Sequence, residues 1–453
     1  MFRVLIAGGG VAALEALLAL RELVGARAEI ELLAPRDDYV YRQLAVAEPF
    51  SAGEATRLPL TELIEAAGGH HRRAALREVR PEERIAVTDG GEELAYDALL
   101  LAIGARPVEA LPGAITYRGF ESNAEMRRAV LDLDHGEISS ISFAVPTSVR
   151  WALPLYELAL LSAWHLGEIG DRDVELHLVT HELEPLGLFG ERAGGMVREL
   201  LSEAGINLHT QAAPARVEPG VVRLVGGGAI RGDRVIAMPR LEVDPIPGIP
   251  QGPHGFIGTD REMRVEGLPR VFAAGDATWF PINQGGIAAQ QADAAASAIA
   301  AAIDDSIEAR PFRPVLRGAI LTGKGPRYLR SEIGDRDGAS AASKAPLWWP
   351  PGKVAGRYLA PFLTAQANQT EQLPPPLADL EAPLDEYDER KAEDHDDAVR
   401  TCLLSADSDA RWGDYEAALR WLAAAEQLQI TLPPDYAIKR EQWRAAAEAA
   451  RVP

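Results

Sequence analysis

The start of the chain limits its fold more than any other stretch. Phe2, Val4, Leu5, Ile6 and Ala7 form a short apolar run. Gly8, Gly9 and Gly10 interrupt it, and Val11, Ala12, Ala13, Leu14 and Glu15 open an Ala- and Leu-rich segment. A brief apolar run bounded by glycines reads as a buried strand, and the segment after it as a helix. The spacing Gly8-x-Gly10-x-x-Ala13 is that of a turn that binds dinucleotides, with Ala in the third place. Gly8 permits the tight turn, Gly10 lets backbone approach a pyrophosphate, and Ala13 keeps helix and strand close. The N–H groups of the first helical turn, Val11 among them, and the positive end of the helix dipole favour the anionic diphosphate.

In such turns an acidic residue about 20 positions on holds a ribose hydroxyl. Here the second strand, expected over 28–34, runs into Leu33-Ala34-Pro35. Arg36, Asp37 or Asp38 takes that contact, or the three form a solvated turn. Tyr39-Val40-Tyr41-Arg42 then reads as an aromatic and basic loop, in which Arg42 either faces the pyrophosphate or packs on the surface.

With 453 residues, 47% of them hydrophobic, the chain is long enough for two or three domains with sizeable cores. Lys and Arg number 46 against 67 Asp and Glu, a net charge of −21. That balance argues against nucleic-acid binding and against electrostatic docking on anionic lipid. No run of about 20 apolar residues predicts a transmembrane helix, and the first residues lack a signal-peptide pattern. A cytoplasmic protein is expected, with peripheral membrane contact left open. Cys402 is the one cysteine, so neither an intrachain disulfide nor a CxxC redox pair can form.

Strand and helix signals alternate onward. Strands are expected over 75–79, 84–87 and 93–95, the last two joined at Asp89-Gly90-Gly91, a hairpin signal. The apolar run 96–103 reads as a central parallel strand ending in Ala102-Ile103-Gly104. A second alternating unit follows, with strands over 139–145, 174–179, 205–209 and 233–238 and helices over 151–165 and 193–204. Gly226-Gly227-Gly228 precedes no helix and reads as a turn only. A short strand over 271–274 meets Gly275-Asp276, and a long Ala-rich helix is expected over 287–303. His70-His71 falls in a predicted loop, and no metal-ligand spacing appears. The tract 373–383 is a Pro-rich acidic linker, and the tail from about 389 reads as helices. Trp412-Gly-Asp-Tyr415-Glu-Ala417-Ala-Leu419 matches part of one tetratricopeptide-like helix pair, with no second copy. A small helical appendage packing on the body is the plainer reading.

The glycine turn, Ala102-Ile103-Gly104 after a strand, and Ala274-Gly275-Asp276 before a helix occur in this order. Together they resemble the pyridine nucleotide–disulfide oxidoreductase superfamily of flavoproteins. Gly275-Asp276 followed by Pro281-Ile-Asn-Gln284-Gly285-Gly286-x-Ala288 is most similar to sulfide:quinone oxidoreductases and type II NADH dehydrogenases. The resemblance implies an α/β fold with two Rossmann-like three-layer dinucleotide-binding domains, to which this chain adds a C-terminal helical appendage. An FAD-binding domain would comprise 1–110 and 250–325, with the second unit, 111–249, inserted. Residues 326–388 would be linker and aromatic segment, and 389–453 the helical tail. By the same resemblance Gly8, Gly10, Val11 and Ala13 would cradle the FAD pyrophosphate, with Arg42 beside it. Val79 would touch adenine through its backbone, and Gly104 would close the crossing between domains. Gly275 and Asp276 would hold the ribitol or pyrophosphate region. Gln284, Gly285 and Gly286 would set N–H groups beside the flavin ring. Read without the resemblance, Asp276 is also a good helix N-cap.

The departures bear on function. The second unit's turn, Ala144-Val-Pro146-Thr-Ser-Val-Arg150-Trp151-Ala-Leu-Pro154, has no glycine. Pro146 lacks a donor and Trp151 is bulky where backbone should meet phosphate, so weak or absent NAD(P)H binding is expected. Arg150 pairs with a phosphate or forms an interdomain salt bridge. Persulfide and disulfide chemistry need cysteines that residues 1–401 do not contain. Trp279, Phe280, Trp348 and Trp349 line a pocket near the flavin or pack as core, with packing favoured. The expected activity is an FAD-dependent oxidoreductase between a small-molecule electron donor and an acceptor such as a quinone, the flavin carrying the chemistry. Two alternatives stand beside it. One is a NAD(P)H:quinone-type dehydrogenase with an atypical nicotinamide site, the other a non-catalytic flavoprotein that recruits a protein partner through its tail.

Overall fold

A computed structural model describes residues 1–149, 151–170, 173–332, 340–367, 396–427 and 432–450. Arg150 and the 373–383 tract lie outside the described residues. The chain begins with β1 (Phe2–Ala7), α1 (Val11–Val24), β2 (Ala28–Leu33), β3 (His70–Arg72) and β4 (Ala98–Leu101). It then builds β5 (Ile115–Thr116), β6 (Ser140–Val145), α2 (Leu153–Glu168), β7 (Glu175–Thr180), α3 (Gly190–Glu203), β8 (Ile206–His209) and β9 (Arg234–Ala237). It returns with β10 (Arg264–Val265), β11 (Leu268–Ala273) and α4 (Gly285–Ile303).

Two parallel sheets result. The first has the order β10-β11-β4-β1-β2-β3, parallel but for the antiparallel β10 edge. The second has the order β5-β9-β6-β7-β8, parallel throughout. β4 and β6 are buried along their whole length, as expected of strands covered on both faces. The chain order reverses between β1 and β4 in the first sheet and between β6 and β9 in the second. Such switch points are where open α/β sheets bind ligands. The two crossings between the sheets, Arg106–Val108 and Arg240–Glu242, pair as an antiparallel ribbon. The first sheet is backed by α1 and α4, whose buried positions are rich in Ala, including Ala12, Ala13, Ala16 and Ala288, Ala292, Ala295. Small side chains let the helix axes approach closely.

Beyond α4 come β12 (Val315–Leu321), β13 (Pro326–Glu332) and β14 (Ala341–Ser343), an antiparallel sheet. The stretch read as linker from 326 thus begins as ordered sheet: β13 pairs with β12 along its full length, and a boundary at 325 would cut their hairpin. Then follow α5 (Leu359–Ala367), α6 (Asp396–Arg411), α7 (Tyr415–Gln427) and α8 (Pro434–Ala450). Two local expectations change with tertiary pairing. His70 and His71 lie in strand β3 on the sheet edge, because β2 offers an open parallel partner. Asp38–Tyr41 is a strand paired with Thr56–Pro59. No described helix is long and apolar enough to cross a membrane.

Candidate active site

Only Gly8, Gly9 and Gly10 separate β1 from α1, so the first helical turn sits directly over the strand end. Gly8 has φ +137, and a Cβ there would run into the Ala102 carbonyl at the end of β4. The turn is therefore pressed against the neighbouring strand, which only glycine allows. Gly10 is exposed, and a Cβ on it would meet nothing within 4 Å. Gly10 is also the N-cap of α1 and brings no side chain to the first-turn N–H groups, and that turn holds no acidic residue. This end of the helix keeps its full attraction for an anion.

A second helix N-terminus arrives at the same place. Gly275, at φ +83, lies where an added Cβ would stand 3.4 Å from Ala12 of α1 and 3.5 Å from Ala288 of α4. Two helix dipoles thus converge on the Gly275-Asp276 turn. Buried Gln291 of α4 holds that turn by accepting from the Gly275 N–H at 2.8 Å. Half-buried Asp276 is pushed to a higher pKa by desolvation, against which the charges of Arg42 and Arg420 act. The N-cap of α4 is Gln284, not Asp276: the Gln284 side chain accepts from the Ile287 N–H at 2.7 Å and donates to the Arg317 carbonyl of β12 at 2.7 Å. Gly285 and Gly286 form the first turn of α4, which starts two residues before the expected 287. Arg42 is exposed, with its guanidinium 5.1 Å above the Phe120 ring, which Arg57 shares at 4.7 Å.

Other expected contacts resolve differently. The Val79 N–H donates to the Pro247 carbonyl at 2.9 Å, and Gly248 is pressed onto the Val79 carbonyl. With its N–H engaged inside the chain, Val79 has its carbonyl left to offer the adenine contact expected there. Gly104, at φ +71, stands at the end of β4 where the crossing ribbon begins. Arg36 pairs with Glu121 at 3.8 Å and Asp37 with Arg73 at 2.7 Å, both in solvent. Phe280 packs edge-on against Phe312 and Trp348 against Tyr328, both as core, whereas half-buried Trp279 lines a cavity.

The second unit's turn is built otherwise. Pro146 to Ala152 separate β6 from α2, and Pro154 sits in the first turn of that helix. This connection is longer than the three-glycine turn of the first unit and opens with Pro146, which has no N–H to offer an anion. At the end of β7 stands Glu182, the position where a Rossmann unit places its ribose-binding acid. Its carboxylate accepts from the Tyr156 hydroxyl at 2.6 Å and the Thr180 hydroxyl at 2.8 Å.

Residues 2–301 match the pyridine nucleotide-disulphide oxidoreductase family. The chain belongs to that family. An NADH dehydrogenase-like protein of Mycobacterium tuberculosis is 26% identical over 296 residues, covering 61% of this chain and 72% of that relative. The demethylphylloquinone reductase of Synechocystis is 25% identical over 295 residues, covering 60% and 71%. Among solved structures, the sulfide:quinone oxidoreductase of Aquifex aeolicus superposes with a TM-score of 0.69 at 19% identity, over 76% of this chain and 87% of its own. That likeness carries the fold. The pyridine nucleotide-disulphide oxidoreductases are flavin- and NAD(P)-dependent enzymes, and this chain is an oxidoreductase by membership.

Against that family background three features escaped sequence reasoning. Gln291, one of two adjacent amides in an Ala-rich helix, shows its purpose only once it is seen to hold the Gly275 turn. Glu15, fully buried on α1, accepts from the N–H groups of Tyr358 and Leu359 at 2.8 and 2.7 Å and ties α5 to the glycine-turn helix. Arg420 reaches from the tail into the 279–283 loop. Cys402 is fully buried, its thiol pushed up to about 12 by desolvation, which makes it a poor nucleophile.

Proposed function

We propose that this chain is an FAD-dependent oxidoreductase that passes electrons from a small-molecule donor to an acceptor, with quinones the foremost acceptor class. The observation that supports it best is the convergence of the α1 and α4 N-termini on the Gly8–Gly10 and Gly275–Asp276 turns. FAD bound there would supply hydride and single-electron chemistry. Gly8, Gly10, Val11 and Ala13 would hold its pyrophosphate, and Gly275 and Asp276 its ribitol side. Gly104 would close the crossing. Arg42 would lend positive charge at the mouth, and the N–H groups of Gly285 and Gly286, behind the cap Gln284, would face the ring. With one buried cysteine, the chain is not a disulfide reductase. The name of the Synechocystis relative supports a quinone acceptor.

The glycine-free Pro146–Ala152 loop favours weak NAD(P)H binding. One observation favours the alternative of a NAD(P)H:quinone dehydrogenase: Glu182 stands where a ribose-binding carboxylate belongs. Anaerobic titration of the purified, yellow protein with NADH and NADPH separates the two. The expected outcome is no saturable bleaching at physiological concentration, with full bleaching by dithionite. Stoichiometric bleaching by NADH would establish the dehydrogenase, and a colourless protein that takes up no FAD would overturn both readings.

A further inference from the structure

The switch point of the second sheet opens onto a cavity of about 110 Å³ with three walls. Ser148 and Met238 follow the ends of β6 and β9, Trp279 and Asn283 belong to the loop before α4, and Glu416 and Arg420 belong to α7. The third wall comes from beyond residue 301, where the family match ends. α7 is fastened there along its length. Arg420 donates to the Phe280 carbonyl at 2.8 Å, to the Trp279 carbonyl at 3.3 Å and to the Asn283 side-chain oxygen at 3.3 Å. Its guanidinium also lies 4.2 Å above the Phe256 ring. Glu416 pairs with His254 at 2.6 Å. At the far end Gln427 donates to the Thr259 hydroxyl at 2.9 Å and the Asp260 carbonyl at 3.1 Å.

We propose that α7 closes the donor side of the cleft and that Arg420 is its specificity-determining residue, barring a nicotinamide nucleotide and leaving room for a small donor only. The inference rests on the FAD reading above. Cofactor sites usually span about 300–1,000 Å³, well above the space left here. Multiple charge-assisted bonds to carbonyls, with an aromatic face beneath, hold the guanidinium more firmly than one surface ion pair would. The bar is therefore part of the resting fold.

The test uses the full chain loaded with FAD, its visible spectrum confirming the cofactor. The protein is titrated calorimetrically with nicotinamide mononucleotide, which carries the ring and one ribose and so does not depend on the Pro146–Ala152 loop accepting a pyrophosphate. Wild type is expected to give no saturable heat, and Arg420→Ala to bind at least about tenfold more tightly. Glu416→Gln, which loosens the His254 pair, is expected to give a smaller gain. A folded, yellow Arg420→Ala protein with unchanged affinity overturns the proposal. If that variant does not fold, Glu416→Gln decides in the same way. Saturable binding by wild type overturns the bar while leaving the FAD reading intact, whereas wild type that takes up no FAD overturns both.

Discussion

Gly8 and Gly10 stand two residues apart in one turn and fail differently when changed. At Gly8 a methyl group would meet the Ala102 carbonyl and a φ of +137 that L side chains rarely adopt. Gly8→Ala should therefore destabilise the FAD-free protein by about 1–3 kcal/mol or more, read as a lower thermal midpoint. Gly10 faces open space, so Gly10→Trp should leave that midpoint unchanged and abolish flavin uptake. Stoichiometric yellow flavin in Gly10→Trp would place the cofactor elsewhere. Glu15 gives the residue scale a pH signature. Burial lifts its carboxyl from 4.5 to about 7, so the folded chain holds that proton more tightly than the unfolded chain. Its contribution is complete below about 4.5 and is lost as pH rises through about 7, a swing on the order of a few kcal/mol. Glu15→Gln, uncharged at every pH, should flatten the stability profile between pH 5 and 8 in urea titrations.

Between elements, buried polar groups act as fasteners, and their partners lie far away in sequence. Glu157 of α2 is fully buried, accepts from the Leu321 N–H of β12 at 2.8 Å and pairs with Lys353 at 2.5 Å. Burial raises its pKa, and Lys353 opposes the rise. Lys353→Met should cost about 3–5 kcal/mol by leaving a buried carboxylate without its counter-charge. Glu157→Gln in the same chain should recover part of the loss, and denaturant melts of the three proteins would show it. Gln284 joins α4 to β12 in the same manner. Most helices and strands of the two parallel sheets were legible from period and glycine punctuation, including Pro154 in the first turn of α2, whereas the edge strand β3 and the sheet β12–β14 were not. The cap of α4 was not, since Asp276 is the better cap by residue type and only the path of the loop brings Gln284 to the helix end instead.

At the scale of the whole molecule, the cofactor is expected to act as a clamp on the discontinuous first unit. FAD at about 100 times its Kd should stabilise the fold by about 2.7 kcal/mol, seen as a thermal midpoint that rises with FAD concentration. NAD+ at the same concentration should leave the midpoint unmoved, given the glycine-free connection at Pro146–Ala152. The tail also changes meaning at this scale. Its sequence reads as a helical appendage, yet α7 supplies a wall of the cavity at the second switch point through Arg420, a role that the tetratricopeptide-like pattern just before it does not announce.

Local physics made the first unit readable. A strand, a three-glycine turn and an Ala-rich helix leave little conformational choice, and the paired motifs at Gly104 and Gly275-Asp276 arrive in a diagnostic order. The same local rules exposed the missing glycines of the second turn and the missing cysteines. What tertiary structure alone decided were contacts between distant segments: Pro247 accepting from the Val79 N–H, Tyr358 and Leu359 donating to Glu15, and Arg420 entering the cleft. Such contacts leave no periodic or compositional trace. A hydrogen bond between residues more than 100 positions apart depends on where the sheets and helices bring the chain, and not on its immediate neighbours.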